Sequence, residues 1–342
     1  MRSWLMAYRA QPSGYPSRAS MPDRRTALRA GLGLAALGTA GLGAAGGCAL
    51  TGDSGDYRKG PLPIATGVAD GVYYLYGRRL AGLIDRGLPG VRTSVDVTTG
   101  SVDNLQRLQD GRDRLAFVAA DAAGATMSGS GMPLRALARL YDDYIHLVVS
   151  GSSGFWSIND LRGRVVSVGG KGSGVEIVAQ RVLAAAGPKV QRQVRRVHMG
   201  LDDATAALHS GFIDAFFWSG GLPTAGIAEL AGRLPLRFIP LGGLAPEIRR
   251  RYGPYYRAAT IPGGTYVNVD EVQTLALANF LVTPPSLDNG LAYRLTEILI
   301  NDRNAIAAAV PSAELLDVRS AVQTDPVPLH PGAVRYYQSI KL

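Results

Sequence analysis

The 342-residue sequence predicts an α/β fold of two mostly parallel sheets flanked by helices, with a cleft between two lobes. Three observations carry this. Short β-branched or apolar runs are each followed by a glycine turn and then a segment of helical spacing, which is the alternation of a mostly parallel sheet. The pattern runs once from Pro61 and starts afresh at Ile145. Finally, Thr66-Gly67, Gly100-Ser101, Gly172-Ser173 and Ser219-Gly220 all fall at the ends of strands. In open α/β sheets that is where small molecules lie, so these turns are expected to share one cleft.

The elements follow in order. Pro61 to Gly67 reads as a strand running into a turn. Val72 to Asp85 is a helix, because Tyr73, Tyr76, Leu80 and Leu83 share a face. Val91 to Thr98 is a strand, and Ser101 is the expected N-cap of the next helix. Leu115 to Ala120 is a buried-type strand ending at Asp121. In the second unit, Ile145 to Val149 is a strand and Trp156 to Gly163 a short helix and turn. Arg164 to Val168 is a strand, followed by a helix to about Ala186. Gln193 to His198, Ala215 to Trp218, Leu236 to Leu241 and Thr274 to Leu281 read as strands, and Asp202 to Ser210 as a helix. Helix and loop run from Glu247. A long helix is expected from Ser286 to about Ala309, and an extended, irregular end from Asp317. One lobe is assigned to residues 61–144 plus 252–342 and the other to residues 145–251.

The N-terminus has a different character. Arg24-Arg25 precedes Ala30 to Gly47, a run of Ala, Gly and Leu with one Thr. It is too glycine-rich for a convincing permanent span, and it has the layout of a twin-arginine export signal; an anchor helix is the alternative. Residues 1–20 precede the usual layout, so Met21 is a candidate start. Cys48, the single cysteine, follows small residues and is a candidate for lipidation, although the usual leucine three places earlier is absent; an ordinary thiol is the alternative. Residues 1–47 are thus expected to be a lipoprotein-like signal and residues 48–60 a flexible tether. The chain is expected to be exported, held at the outer face of the cytoplasmic membrane by a lipid anchor or free in the periplasm or medium. Removing the signal reduces the formal charge from +9 to about +4. What remains basic, such as Arg249-Arg250-Arg251, is too short for a nucleic-acid stripe.

Catalytic patterns are missing. No serine sits in G-x-S-x-G, and His146, His198, His209 and His330 have no metal spacing. Asp142-Asp143 and Asp202-Asp203 read as caps or solvated residues. The loop Val166 to Glu176 invites a nucleotide reading, which spacing removes. A P-loop needs Ser or Thr where Gly172 stands and Gly where Val165 stands. The dinucleotide fingerprint needs Gly where Val175 or Ile177 stands, and no acid follows the next strand to hold a ribose. Free N–H groups at a helix start, the Ser173 hydroxyl and Lys171 suit a small anion such as a carboxylate. An unoccupied turn capped by Ser173 is the plain alternative. No enzyme activity, cofactor or metal is expected.

Four stretches together resemble one family. They are Thr66-Gly67 through Gly71-Val72-Tyr73-Tyr74; Thr99-Gly100-Ser101-Val102-Asp103-Asn104-Leu105; Asp160-Leu161-Arg162-Gly163 through Gly169 and Gly172-Ser173-Gly174; and Gly211 to Phe217 with Gly220 and Pro223. Their order resembles the TAXI group of solute-binding receptors of TRAP transporters, over most of residues 62–300. The resemblance implies a two-lobed type II periplasmic binding-protein fold that closes on a small carboxylate or amino acid, glutamate-like, and delivers it to membrane permease subunits. It places Thr66, Gly67, Tyr73, Ser101, Val102, Asn104, Gly172, Ser173 and Gly174 near the ligand, with Gly220 and Tyr266 less securely. Tyr73 would offer an apolar wall with a polar tip, or else be a core residue. Asp70 departs from the family's small hydroxyl residues, and its acid would suit a ligand amine; Lys171 is a compensating cation. A stand-alone sensor for a membrane partner, or an enzyme on the same fold, are the alternatives.

Overall fold

A computed structural model describes residues 56–341 apart from Asp70. The signal, Cys48 and most of the tether lie outside the described residues. The first block runs β1 (Gly60–Ala65), α1 (Val72–Gly87), β2 (Val91–Asp96), α2 (Ser101–Gln109), β3 (Leu115–Ala119) and α3 (Ala120–Gly129). The long strand β4 (Arg135–Ser150) leads to β5 (Val165–Ser167), α4 (Gly174–Ala185), α5 (Pro188–Gln193), β6 (Arg195–Val197), α6 (Leu201–His209), β7 (Ala215–Gly220), α7 (Ala225–Ala231), β8 (Leu236–Phe238) and α8 (Ala245–Tyr252). The chain ends with β9 (Tyr256–Ile261), β10 (Val272–Thr283), α9 (Asn289–Asn301), α10 (Arg303–Ala307), α11 (Val318–Ala321) and α12 (Pro331–Ser339).

The strand order is β2-β1-β3-β10-β4-β7-β5-β6, with β8 on β4 and β9 on β10. Each outer block is parallel: β1 lies between β2 and β3, and β5 between β6 and β7. The long strands β4 and β10 are antiparallel to each other and join the blocks. β10 pairs β3 through Asn279–Val282, while β4 pairs β7 through Tyr144–Val149. Helices cover the parallel strands on both faces, which is why β3 is buried at every position. The packing has three centres. One, around Tyr76, Ile84, Phe117 and Leu299, joins the first block to α9 and α12. Another joins Val148, Phe216 and Ile227 to Ile261, Tyr266 and Val272. The third spans both blocks through Phe280 and Ile145.

Several expectations need correction. The predicted irregular C-terminal end contains α11 and α12. Pro331 stands at the first turn of α12, where its missing N–H costs nothing, and the His330 ring accepts the Gly332 N–H. Buried Tyr336 and Tyr337 then pin the helix to the core. The predicted long helix breaks at Asp302, whose backbone leaves the helical region. The strand seen at Ile145 to Val149 is the tail of sixteen-residue β4. Its middle, Asp142-Asp143, reads as polar in isolation but is enclosed. Strand alternation turns the two acids to opposite faces. Asp142 accepts from Arg139 at 2.7 Å and pairs with Arg257; Asp143 reaches the cleft. Ser101 is not an N-cap but the first helical residue, behind Gly100.

Candidate functional site

The parallel strands end on one side, and the helices that follow them begin around a cavity of about 420 Å³. That volume suits a small solute. Five helices present their first residues: α1 through Gly71–Tyr73, α2 through Thr99–Ser101, α3 through Ala119, Asp121 and Ala122, α4 through Ser173–Val175, and α6 through Gly200–Asp203. On α1, α2, α3 and α6 the N-cap residue makes no side-chain cap, and on α3 Asp121 takes the Ala122 N–H. Positive helix ends and unused donors therefore converge on one space, which favours an anionic group. β7 adds Trp218, Ser219 and Gly220, and the crossing strands add Tyr141, Asp143 and Leu277.

The first-block wall is tied into the core. Thr66 Oγ1 donates to the Asp96 carbonyl at 2.6 Å. Buried Asn104 donates to the carbonyls of Thr66 at 2.6 Å and Phe117 at 2.7 Å, and accepts from Thr98 at 2.6 Å. Ser101 Oγ accepts the Ala119 N–H at 3.0 Å and lies 3.5 Å from the Tyr73 hydroxyl. That hydroxyl also donates to Asn279 Oδ1 on β10. Tyr73 stacks beside Phe117 with ring centroids 5.5 Å apart. Gly100, at φ 118°, makes the entry into α2, a conformation that side chains disfavour. A Cβ there would lie 3.7 Å from the Gly174 N, so the starts of α2 and α4 face each other at close range.

The second-block wall is more open. Ser173 caps α4 by accepting the Glu176 N–H at 3.2 Å. Glu176 in turn accepts the Gly172 N–H at 2.7 Å and meets His198 Nε2 at 2.9 Å. The Gly172 N–H, with help from His198 and Lys171, holds the Glu176 carboxyl below its usual range. Gly169, at φ 91°, shapes the loop: a Cβ there would lie 2.6 Å from that of Val175.

Two acids stand at the floor. Asp121 is satisfied by Arg181, by the Tyr256 hydroxyl donating at 2.6 Å and by the Ala122 N–H at 2.7 Å. Asp143 has a hydrogen bond from Ser219 at 2.9 Å but no cation among the groups that set its charge. Burial pushes its carboxyl up to about 7, against the opposing pull of the Ser219 hydrogen bond and the Asn279 amide.

Of the residues singled out in the sequence, Gly67, Tyr73, Ser101, Lys171, Ser173, Gly174 and Gly220 line the cavity. Thr66 and Asn104 lie behind it as supports, fully buried. Val102 is exposed outside it, and Gly172 holds Glu176 instead. Tyr266 is also outside it. Its hydroxyl accepts the Thr224 N–H at 2.9 Å and meets His146 Nε2 at 2.9 Å. Burial pushes His146 down to about 4, so it serves as a neutral core residue. Asp70 and Cys48 lie outside the described residues. Sequence reasoning missed Tyr141, Asp143 and Trp218 as cavity residues, whereas the Ser219-Gly220 turn lines the cavity as expected. The available signal was an acid pair inside an otherwise apolar run, Leu140-Tyr141 before it and Ile145 after it. Among the described residues no cluster of His, Cys, Asp and Glu could hold a metal, and no helix is long and apolar enough to cross a membrane.

Three solved structures are similar to this chain. One from Bordetella bronchiseptica RB50 is 22% identical, with a TM-score of 0.50 over 83% of this chain and 90% of that one. The periplasmic aliphatic sulphonate binding protein SsuA from Escherichia coli is 16% identical, with a TM-score of 0.49 over 82% of this chain and 84% of that one. A putative L-cystine ABC transporter protein from Listeria monocytogenes is 12% identical, with a TM-score of 0.45 over 73% and 95%. At the level of sequence, the model of the NMT1-like family matches residues 64–340, from β1 to the end of α12, so the chain belongs to the NMT1-like family.

Proposed function

We propose that this chain is an extracytoplasmic solute-binding receptor that captures a small carboxylate or amino acid and delivers it to a TRAP-type permease. The observation that carries this reading is the convergence of five helix starts, four whose N-cap residue makes no side-chain cap, on one small-solute cavity. A carboxylate placed there takes N–H donors from both walls. Contacts with both walls at once favour the closed arrangement over an open one, which is how such a receptor reports occupancy to a partner. The likeness of the four glycine-turn stretches to the TAXI group supports the TRAP assignment. The Arg24-Arg25 signal and Cys48 support export and a lipid anchor. The role needs binding and release rather than turnover, so no enzyme activity is assigned.

Thermal-shift screening of the purified protein against amino acids, monocarboxylates and dicarboxylates tests the reading. A true ligand at a hundredfold its Kd should add about 2.7 kcal/mol of stability. Silence across the panel overturns it. Incorporation of labelled palmitate, abolished by Cys48→Ala, tests the anchor separately.

A further inference from the structure

The cavity holds two opposite chemistries, and the proposed function uses only one of them. Helix starts ring it and favour an anion. At its floor lies Asp143, a carboxyl only 9% exposed, with no cation beside it. Buried carboxylates are ordinarily paired, because an uncompensated charge is costly to desolvate. Among the described residues the other buried acids obey this rule: Asp113 has Arg107, Asp121 has Arg181, and Asp142 has Arg139 and Arg257. Lys171, the cation on the cavity wall, acts on Glu176 instead. Asp143 is the exception: like Asp121 it reaches the space a solute would fill, but it does so without a cation.

Its surroundings fit a particular guest. Tyr73, Tyr141 and Trp218 line the same cavity, and Tyr73 and Tyr141 both sense the Asp143 charge. A carboxylate among aromatic faces is a setting for an ammonium group, which gains from both. Asp142 lies on the opposite face of β4 with Arg139 and Arg257, and Arg181 is taken by Asp121, so these arginines are spent on other acids. Ser219 and Asn279 hold the charged form without balancing it.

We propose that Asp143 receives the amino group of the ligand, so that the solute taken is a zwitterion of the α-amino-acid class rather than a carboxylate without nitrogen. The carboxylate end lies against the helix starts and the ammonium end on the floor. This rests on the receptor reading above and narrows its ligand. A dicarboxylate would bring a second negative charge toward Asp143 and is selected against.

The test is calorimetric titration of the full chain at pH 7 with matched pairs, each L-amino acid against its 2-hydroxy acid. At least one amino acid is expected to bind about 30-fold or more tighter than its partner. In Asp143→Asn this preference should fall to within about threefold, with the hydroxy acid little changed. In the wild type, amino-acid binding should release about half a proton at pH 7, read from heats in two buffers of different ionisation enthalpy, because it fixes the charged form of a group poised near 7. Equal or tighter binding of the hydroxy acids, or an unchanged preference in Asp143→Asn, overturns the proposal and leaves the receptor reading standing. Binding of simple amines without any acid overturns the carboxylate reading while keeping Asp143 in its role. Binding of neither series overturns both.

Discussion

The two walls of the cavity carry similar sequence and different physics. Gly100-Ser101 and Gly172-Ser173 are both glycine-serine turns that open a helix. In the first, Ser101 is 2% exposed, sits inside the helix and spends its hydroxyl on the backbone of β3. Behind it Asn104 bonds the chain at Thr66, Phe117 and Thr98. In the second, Ser173 stands outside the helix as a cap, and its neighbours Lys171 and Gly172 are exposed. One wall is fixed by buried hydrogen bonds; the other is held by solvated ones. A dipeptide motif therefore does not determine rigidity. What determines it is whether the following residues can be enclosed by other elements, since a buried polar group is costly to leave unpaired and an exposed one is not.

The comparison can be broken experimentally. The largest effect should come from Asp143, beside the fixed wall. Its folded pKa of about 7 lies above the ordinary 3.8, so the unliganded protein loses stability as pH rises from about 4 to 7 and gains none below 4. Asp143→Asn removes that loss. It should stabilise the unliganded protein by up to about 4 kcal/mol at pH 8, and negligibly at pH 3.5, in paired thermal or urea melts. Equal effects at both pH values would show that Asp143 carries no buried charge. Next, Asn104→Ala removes three buried hydrogen bonds and should cost about 3 kcal/mol in urea unfolding. A cost near 1 kcal/mol would erase the distinction between the walls. Ser173→Ala removes one exposed cap and should cost about 1 kcal/mol.

The smallest effect has the opposite pH sign. The depressed Glu176 carboxyl contributes stability above its ordinary 4.5, lost as pH falls through its lower folded value. Glu176→Gln should therefore cost less than about 1 kcal/mol at pH 7 and nothing near pH 2, with salt reducing the difference. A large loss would mean that the α4 loop is as fixed as its counterpart.

Much of the fold was legible in the residues. The starts of α1, α2 and α4 and the strands before them follow from apolar spacing and glycine turns, which are local properties. The failures share a cause. β9, α7 and α12 have weak local signals and depend on partners distant in sequence: β9 on β10, and α12 on buried Tyr336 and Tyr337. The candidate site divides the same way. Gly67, Tyr73, Ser101 and Ser173 sit on local turns, whereas Asp143, Tyr141 and Trp218 reach the cavity only because β4 and β7 pair across the molecule.

The sequence by itself determined the alternation of strand and helix, the glycine turns and the cluster of helix starts, because each rests on short-range spacing and backbone freedom. Only the tertiary structure decided which of those turns became rigid, and that one acid of an adjacent pair would be neutralised by arginines while the other faced an enclosed space without a cation. Strand alternation sends the two acids to opposite faces, but what waits on each face comes from residues more than a hundred positions away, such as Arg257 and Leu277.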